Sequence, residues 1–129
     1  MSESPHSIGT EQPLTVAHEM MRLYGIRHLP VLHGGRLVGV LTERDLALVE
    51  TLPGVDKRRV TVDDAMTPDP YVVAPDVPLG VVIATMRDRK LGSAIVAQGA
   101  RVVGVFTTVD ALAALADALA PAREGAPAA

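Results

Sequence analysis

The fold is decided by the stretch Val-Gly-Val-Leu-Thr-Glu-Arg-Asp at residues 38–45, because it returns 65 positions later as Val-Gly-Val-Phe-Thr-Thr-Val-Asp at residues 103–110. Working outward from these two stretches, residues 5–48 lie over residues 70–113 without a gap. Identical residues recur along the whole overlap: Pro13/Pro78, Met21/Met86, Gly34/Gly99 and Arg36/Arg101. The chain therefore contains one unit twice, and such a unit commonly needs its neighbour to bury its apolar face.

Each unit predicts the element order β-α-β-β-α. Residues 14–24 carry apolar side chains at helical spacing, and the apolar runs 28–32 and 37–41 flank a turn signal, which is typical of a hairpin. A second helix, opened by Thr42, is predicted over residues 43–52. The second unit predicts equivalent helices over 79–89 and, opened by Thr107, over 108–119, and short strands are expected at Ile8 and at Val72-Val73. Hairpin strands that are apolar on both faces indicate sheets covered on both sides.

Composition shifts divide the chain into two repeats, a joint and a tail. We assign residues 1–52 to the first repeat and residues 67–120 to the second. Residues 53–66 form a charged linker, in which Thr-Val-Asp-Asp at residues 61–64 matches a capping box and predicts a short helix. The tail, residues 121–129, is rich in Ala and Pro and is predicted to be disordered.

The element order, with Gly-x-x-Thr-x-x-Asp at each strand-to-helix junction, resembles the CBS-domain family. The matching segments are residues 39–45 and 104–110, the strand start at 28–31 and the lead-in Asp-Ala-Met-Thr-Pro at 64–68. The resemblance covers residues 5–119 and implies an α+β fold of two tandem β-α-β-β-α CBS repeats related by a pseudo-twofold axis. It also implies two clefts that bind AMP, ADP, ATP or S-adenosylmethionine, further pairing into a flat homodimer, and regulation of an enzyme or transporter.

The sequence departs from the family pattern at its start. The first copy has no Asp-Ala-Met-Thr-Pro lead-in before its first strand, because the chain begins at Met1. We therefore expect no short helix before Ile8 and a less anchored N-terminus.

The Thr-x-x-Asp element has two interpretations. A Thr hydroxyl and free N–H groups at a helix N-terminus suit a phosphate, and an Asp one turn later can accept hydrogen bonds from both hydroxyls of a ribose. The same spacing is also a capping box, which needs no ligand. Gly39 and Gly104 likewise allow either close approach of a ligand or tight backbone packing, and packing is the favoured interpretation.

The resemblance assigns residues to two unequal clefts. In the first, Thr42 and Asp45 hold the ribose and phosphate. Cations and a histidine lie near the phosphates in that cleft: Arg27, His28 and Arg44. The adenine rests against five residues of the other repeat: Tyr71, Val72, Leu91, Gly92 and Ser93. The second cleft has Thr107 and Asp110, with only uncharged neighbours in the corresponding places, so the first cleft is expected to take the phosphorylated ligand. The alternative for Arg27 and Arg44 is an ordinary solvated surface charge.

Composition excludes several function classes. The formal charge of −3 and the lack of a basic block disfavour nucleic-acid binding. There is no cysteine, no signal-like start and no apolar run long enough to span a bilayer, so we expect a cytoplasmic protein. His28 and His33 would point to opposite faces of a strand, so no metal site is expected. No catalytic motif is present, so an enzyme is not expected, and no cofactor beyond the nucleotide is implied.

The sequence leads to a regulatory module that senses AMP or ATP and acts on a protein carried by another chain, which the sequence does not identify. Two alternatives stay open: a dimeric scaffold with empty clefts, and a module for S-adenosylmethionine. A homodimer is also predicted from an apolar stripe at helical spacing: Val109, Leu112, Leu115 and Leu119.

Overall fold

In the computed structural model, the backbone of residues 2–3 and all of residues 6–121 are described. They form eight strands: β1 (Ser2–Glu3), β2 (Ile8–Gly9), β3 (His28–His33), β4 (Arg36–Thr42), β5 (Thr67–Pro68), β6 (Val72–Val73), β7 (Ser93–Gln98) and β8 (Arg101–Thr107). The five helices are α1 (Leu14–Tyr24), α2 (Glu43–Glu50), α3 (Val62–Ala65), α4 (Leu79–Arg89) and α5 (Thr108–Leu119). Almost all of the tail predicted to be disordered, residues 122–129, lies outside the described part of the chain.

The helices follow the predicted pattern closely. Helices α1 and α4 have the predicted bounds, and each is followed by a residue in the left-handed region, Gly25 with φ 63° and Lys90 with φ 55°. Helices α2 and α5 begin at Glu43 and Thr108 as predicted, and Thr42 and Thr107 are their extended N-cap residues. Helix α2 ends at Glu50, two residues before the predicted end.

Both predicted hairpins are present, and each lies at the centre of a four-stranded sheet. One sheet has the order β2-β3-β4-β5, and the other has the order β1-β8-β7-β6. The two hairpins have the same register, since Leu29 is opposite Leu41 and Ala94 is opposite Phe106. Each hairpin also has one irregularity at the same place, after Val31 and after Val96. The duplication in sequence is therefore a duplication of backbone geometry.

The two repeats exchange their first strands. Strand β5, which leads into the second repeat, pairs antiparallel with β4 of the first repeat, and β1 pairs antiparallel with β8 of the second. The registers correspond at the 65-residue offset: Ser2 is opposite Val105, and Thr67 is opposite Val40. This reciprocal pairing is the arrangement that a pseudo-twofold axis requires.

The start of the chain is better anchored than we predicted. Strand β1 is hydrogen-bonded to the second repeat, and the His6 ring stacks on Tyr24 with 3.6 Å between the ring centroids. The expectation of a less anchored N-terminus was therefore wrong, because strand exchange supplies an anchor that a missing helix does not remove. As predicted, no helix is present at residues 2–3 and 6–7, the described residues that precede β2.

Successive side chains of the hairpin strands point alternately into two apolar clusters, one between sheet and helices and one between the two sheets. On β4, Leu41 faces the core shared with α1 and α2, whereas its neighbour Val40 joins Ile95 and Val105 in a cluster between the sheets of the two repeats. On β8, Phe106 faces the core shared with α4. Both faces of each hairpin are covered, which explains their continuous apolar sequence.

The joint between the repeats is docked on the first one. Helix α3 buries Val62 completely in the first-repeat core, and Met66 packs against the same core. Gly39 faces this segment so closely that an added Cβ would lie 2.6 Å from Met66 Sδ and 2.8 Å from the Thr67 carbonyl oxygen. The packing interpretation of Gly39 is therefore confirmed. Across residues 6–121 no helix has both the length and the apolar character needed to cross a membrane.

Candidate functional site

The two Thr-x-x-Asp elements lie at equivalent strand-to-helix junctions and form capping boxes. The Thr42 backbone N–H donates to Asp45 Oδ2 at 2.8 Å, and the Asp45 backbone N–H donates to Thr42 Oγ1 at 3.1 Å. In the second repeat the corresponding distances, Thr107 N to Asp110 Oδ2 and Asp110 N to Thr107 Oγ1, are 2.8 and 3.3 Å. All four side chains are half-buried. The structure thus satisfies the capping interpretation in both repeats.

Capping leaves room for a ligand role at Asp45. An ionised carboxylate has about four acceptor positions on two oxygens, and the capping hydrogen bond from the Thr42 backbone N–H goes to Asp45 Oδ2. The boxes also hold each carboxylate at a fixed place beside the first turn of its helix. A fixed carboxylate can accept hydrogen bonds from ribose hydroxyls, whereas N–H groups at a helix N-terminus suit a phosphate.

The two predicted arginines are solvent-exposed beside the start of α2. Arg27 Nε lies 3.9 Å from Glu43 Oε1, and the two side chains are 72% and 64% exposed. The Arg27 carbonyl accepts a hydrogen bond from the Glu43 backbone N–H at 2.9 Å, so its backbone is fixed although its side chain is not. Arg44 is exposed on α2. The surroundings of both arginines are those of surface charges, where an ion pair contributes about 0–1 kcal/mol.

His28 occupies the boundary between the two repeats. It begins β3 opposite Thr42, and its Nε2 atom would lie 3.7 Å from a Cβ placed on Gly92. Burial lowers the pKa of His28, while the carboxylates of Asp45 and Asp110 act in the opposite direction. The sequence placed His28 with Asp45 only; the structure brings it within electrostatic reach of Asp110 as well.

The residues predicted to receive adenine lie together on the second repeat. Tyr71 and Leu91 are half-buried against the second core, Ser93 opens β7 opposite Thr107, and Val72 is 47% exposed. The Tyr71 carbonyl accepts from Ile95 N–H at 2.8 Å, while its ring lies 5.4 Å beneath the Arg89 guanidinium. The Gly92 carbonyl accepts from the backbone N–H of Thr108 at 3.1 Å. Their role towards adenine stays a prediction.

A cleft that the sequence did not predict lies elsewhere on the first repeat. It has a volume of about 470 Å³ and is lined by Thr10, Glu11, His33, Val38, Thr61, Asp63 and Met66. The buried Thr10 hydroxyl pairs with His33 Nδ1 at 3.0 Å in its wall. Because the joint forms one side, periodicity within a single repeat carries no signal for this cleft. Its lining includes none of the predicted site residues.

No group of three or more His, Cys, Asp or Glu side chains within residues 6–121 is arranged to hold a metal ion. All four histidines of the sequence, His6, His18, His28 and His33, lie in this range.

The family of the chain follows from a family model that matches both halves. The model of the CBS domain matches residues 1–50 and again residues 62–117. The chain belongs to the CBS domain family. The two CBS matches include both Thr-x-x-Asp elements, and the second also includes helix α3 and strand β5 of the joint.

Curated relatives share the CBS repeats. The chain is 30% identical over 107 residues to the inosine-5'-monophosphate dehydrogenase of Korarchaeum cryptofilum, covering 81% of this chain and 21% of that enzyme. It therefore spans about a fifth of the dehydrogenases it matches. It is 27% identical over 104 residues to hypoxic response protein 1 of Mycobacterium tuberculosis, covering 80% of this chain and 73% of that protein.

Solved structures of CBS-domain pairs have the same fold. The CBS pair of protein MJ0100, in complex with 5'-methylthioadenosine and S-adenosyl-L-methionine, superimposes with a TM-score of 0.81 at 23% identity, covering 92% of this chain and 93% of that one. CBSX2 in complex with AMP gives a TM-score of 0.78 at 22% identity, covering 93% and 95% of the two chains. The predicted class, an α+β pair of CBS repeats, is confirmed.

Proposed function

We propose that this CBS pair is a regulatory module that binds an adenosine nucleotide, AMP or ATP, in the clefts between its repeats. The observation that carries the proposal is the presence of two half-buried Thr–Asp elements, one per repeat, each fixed by a capping box at the N-terminus of a helix. The complexes of CBSX2 with AMP and of MJ0100 with adenosine-containing ligands support this ligand class. Regulation of another protein is the proposed output of this module.

The first cleft is proposed to take the phosphorylated ligand. Arg27 and Arg44 flank the Thr42 and Asp45 junction, whereas the residues at the same offset in the second repeat, Gly92 and Val109, carry no charge. A charge-assisted hydrogen bond contributes about 1.5–3 kcal/mol, so one cation is enough to decide which cleft is occupied first. Adenine is proposed to lie against the five second-repeat residues named above.

We also infer a homodimer. Helix α5 has no buried residue, and its four large apolar side chains are strongly exposed: Val109 66%, Leu112 59%, Leu115 53% and Leu119 74%. A continuous apolar stripe of this kind on a water-soluble surface is characteristic of an association face. The same apolar stripe on α5 of a second copy offers it a matching surface.

Thermal unfolding with a panel of AMP, ADP, ATP and S-adenosylmethionine tests the proposed ligand. A nucleotide at 100 times its Kd adds about 2.7 kcal/mol to the free energy of unfolding, which raises the Tm of a domain of this size by roughly 8–16 °C. The double variant Asp45→Ala/Asp110→Ala is the control and should lose the shift. A shift with S-adenosylmethionine alone would change the assigned ligand, and unchanged Tm values throughout would favour the empty scaffold.

A further inference from the structure

His28 and its pseudo-symmetric counterpart differ in chemistry. At the 65-residue offset, His28 corresponds to Ser93, and Arg27 corresponds to Gly92. The imidazole therefore packs toward a position that has no side chain, with Nε2 at 3.7 Å from where the Gly92 Cβ would be. A serine on the other side cannot reach across in the same way. His28 thus has no titratable counterpart at the equivalent position of the second repeat.

His28 lies between the starts of α2 and α5. Its backbone pairs with Thr42 at the start of α2, and its Nε2 lies 3.7 Å from a Cβ placed on Gly92, whose carbonyl oxygen accepts from the Thr108 backbone N–H at the start of α5. The charged groups that act on it electrostatically are Asp45 and Glu43 of α2, Arg27 before it in the chain and Asp110 of α5. Burial is the strongest influence and lowers the pKa of His28; Asp45 raises it, Arg27 lowers it, and Asp110 and Glu43 raise it more weakly. Groups from both repeats therefore influence the protonation of His28.

We propose that His28 is a single proton-binding group shared by both Thr–Asp clefts, so that occupancy of either cleft changes its protonation. An anionic group placed beside Asp45 or Asp110 favours the imidazolium form. By linkage, a nucleotide phosphate then binds with uptake of a proton and binds more tightly as the pH falls through the titration of His28. The position of His28 and the influence of both carboxylates on its pKa do not depend on a ligand. The proton uptake rests on the proposed nucleotide binding.

The influence of the two carboxylates on the pKa of His28 is tested without ligand by NMR titration of its Cε1–H resonance. This resonance is identified by its loss in His28→Gln. The variants are Asp45→Asn and Asp110→Asn, since Asn keeps an acceptor oxygen for the capping box. The control is Asp76→Asn, an exposed carboxylate on the loop before α4. The pKa of His28 should fall in both cleft variants, more in Asp45→Asn, and should not change in the control. A titration of Asp110→Asn or of Asp45→Asn that superimposes on wild type would overturn the proposal.

The linkage is tested in the wild-type protein by calorimetric titration with AMP near pH 6.5 in two buffers of different ionisation enthalpy. Because the AMP phosphate also titrates at about pH 6, wild type is compared with His28→Gln, and wild type is expected to take up more protons per bound AMP. Equal proton numbers in the two proteins would contradict the linkage. If AMP does not bind at all, the proposed function fails, and the NMR titration still decides whether both clefts share His28.

Discussion

The two repeats build the same hairpin from different side chains. In the first repeat the cross-strand pair Leu29 and Leu41 is fully buried; in the second repeat the equivalent pair is Ala94 and Phe106, where a small residue faces a large one. The register is identical, so a loss of volume on one strand is offset by a gain on the other. At this place in the core, the combined volume of the two facing side chains is conserved between the repeats, and the volume of each single side chain is not.

The surface helices that follow the hairpins have diverged further. Helix α2 carries Arg44 and Glu50 on its outer face, whereas α5 carries Val109 and Leu115 at the same offset. The inward-facing positions differ too, since α2 buries Leu46 and Val49 and α5 buries no residue. The backbone of the repeat is kept, while the exposed faces of α2 and α5, which are proposed to meet a ligand or a partner, differ. Four experiments test this comparison of the two repeats.

The largest effect is expected from the hairpin core. Leu29→Ala places the second repeat's residue in the first repeat without its large partner, so the free energy of unfolding should fall by about 2–5 kcal/mol. The double variant Leu29→Ala/Leu41→Phe reproduces the pair found in the second repeat and should recover part of the loss. Chemical denaturation measures both, and a double variant no more stable than Leu29→Ala would show that the two cores are not interchangeable.

The next largest loss of stability is expected from the contact of β4 with the joint and the exchanged strand β5. Gly39→Ala forces a methyl group against Met66 Sδ and the Thr67 carbonyl oxygen, and overpacking of this kind costs about 1–3 kcal/mol. The control is Gly80→Ala on α4, where nothing lies within 4 Å of the added Cβ; it should stabilise the protein by about 0.5–1 kcal/mol. Equal Tm values for the two variants would contradict the close contact between β4 and the joint.

Much of the fold could be predicted from the sequence, because helical periodicity and the Gly-containing turns are local signals. The helices over 14–24 and 79–89 have the predicted bounds, and both hairpins are where their turns indicated. The exchange of β1 and β5 could not be predicted, since a two-residue strand has no periodicity and its partner lies in the other repeat.

The site was predictable only in part, for the same physical reason. Thr42 with Asp45 and Thr107 with Asp110 are local motifs, so their capping geometry followed from spacing. The approach of His28 to Asp110 depends on how one repeat sits against the other, and neither repeat's sequence specifies that distance. The same holds for the cleft of about 470 Å³, which the joint closes on one side.

A smaller effect is expected on assembly than on folding. The variant Leu112→Gln/Leu115→Gln should weaken the proposed homodimer and yield a 13.5 kDa species in light scattering at micromolar concentration, with the fold retained. The matched control is Ala47→Gln, at the position of α2 that corresponds to Leu112, and it should leave the mass unchanged. A wild-type protein that is already monomeric at this concentration would refute the association of α5.

The inequality of the two clefts is tested most directly by titration calorimetry of AMP into wild type, Asp45→Ala and Asp110→Ala. Each variant removes one carboxylate and one capping box, so the two control each other for helix stability. Asp45→Ala should weaken AMP binding by at least about tenfold, or about 1.4 kcal/mol, because Arg27 and Arg44 flank only that cleft. Asp110→Ala should change the affinity little. Equal losses in the two variants, or a larger loss in Asp110→Ala, would contradict the account.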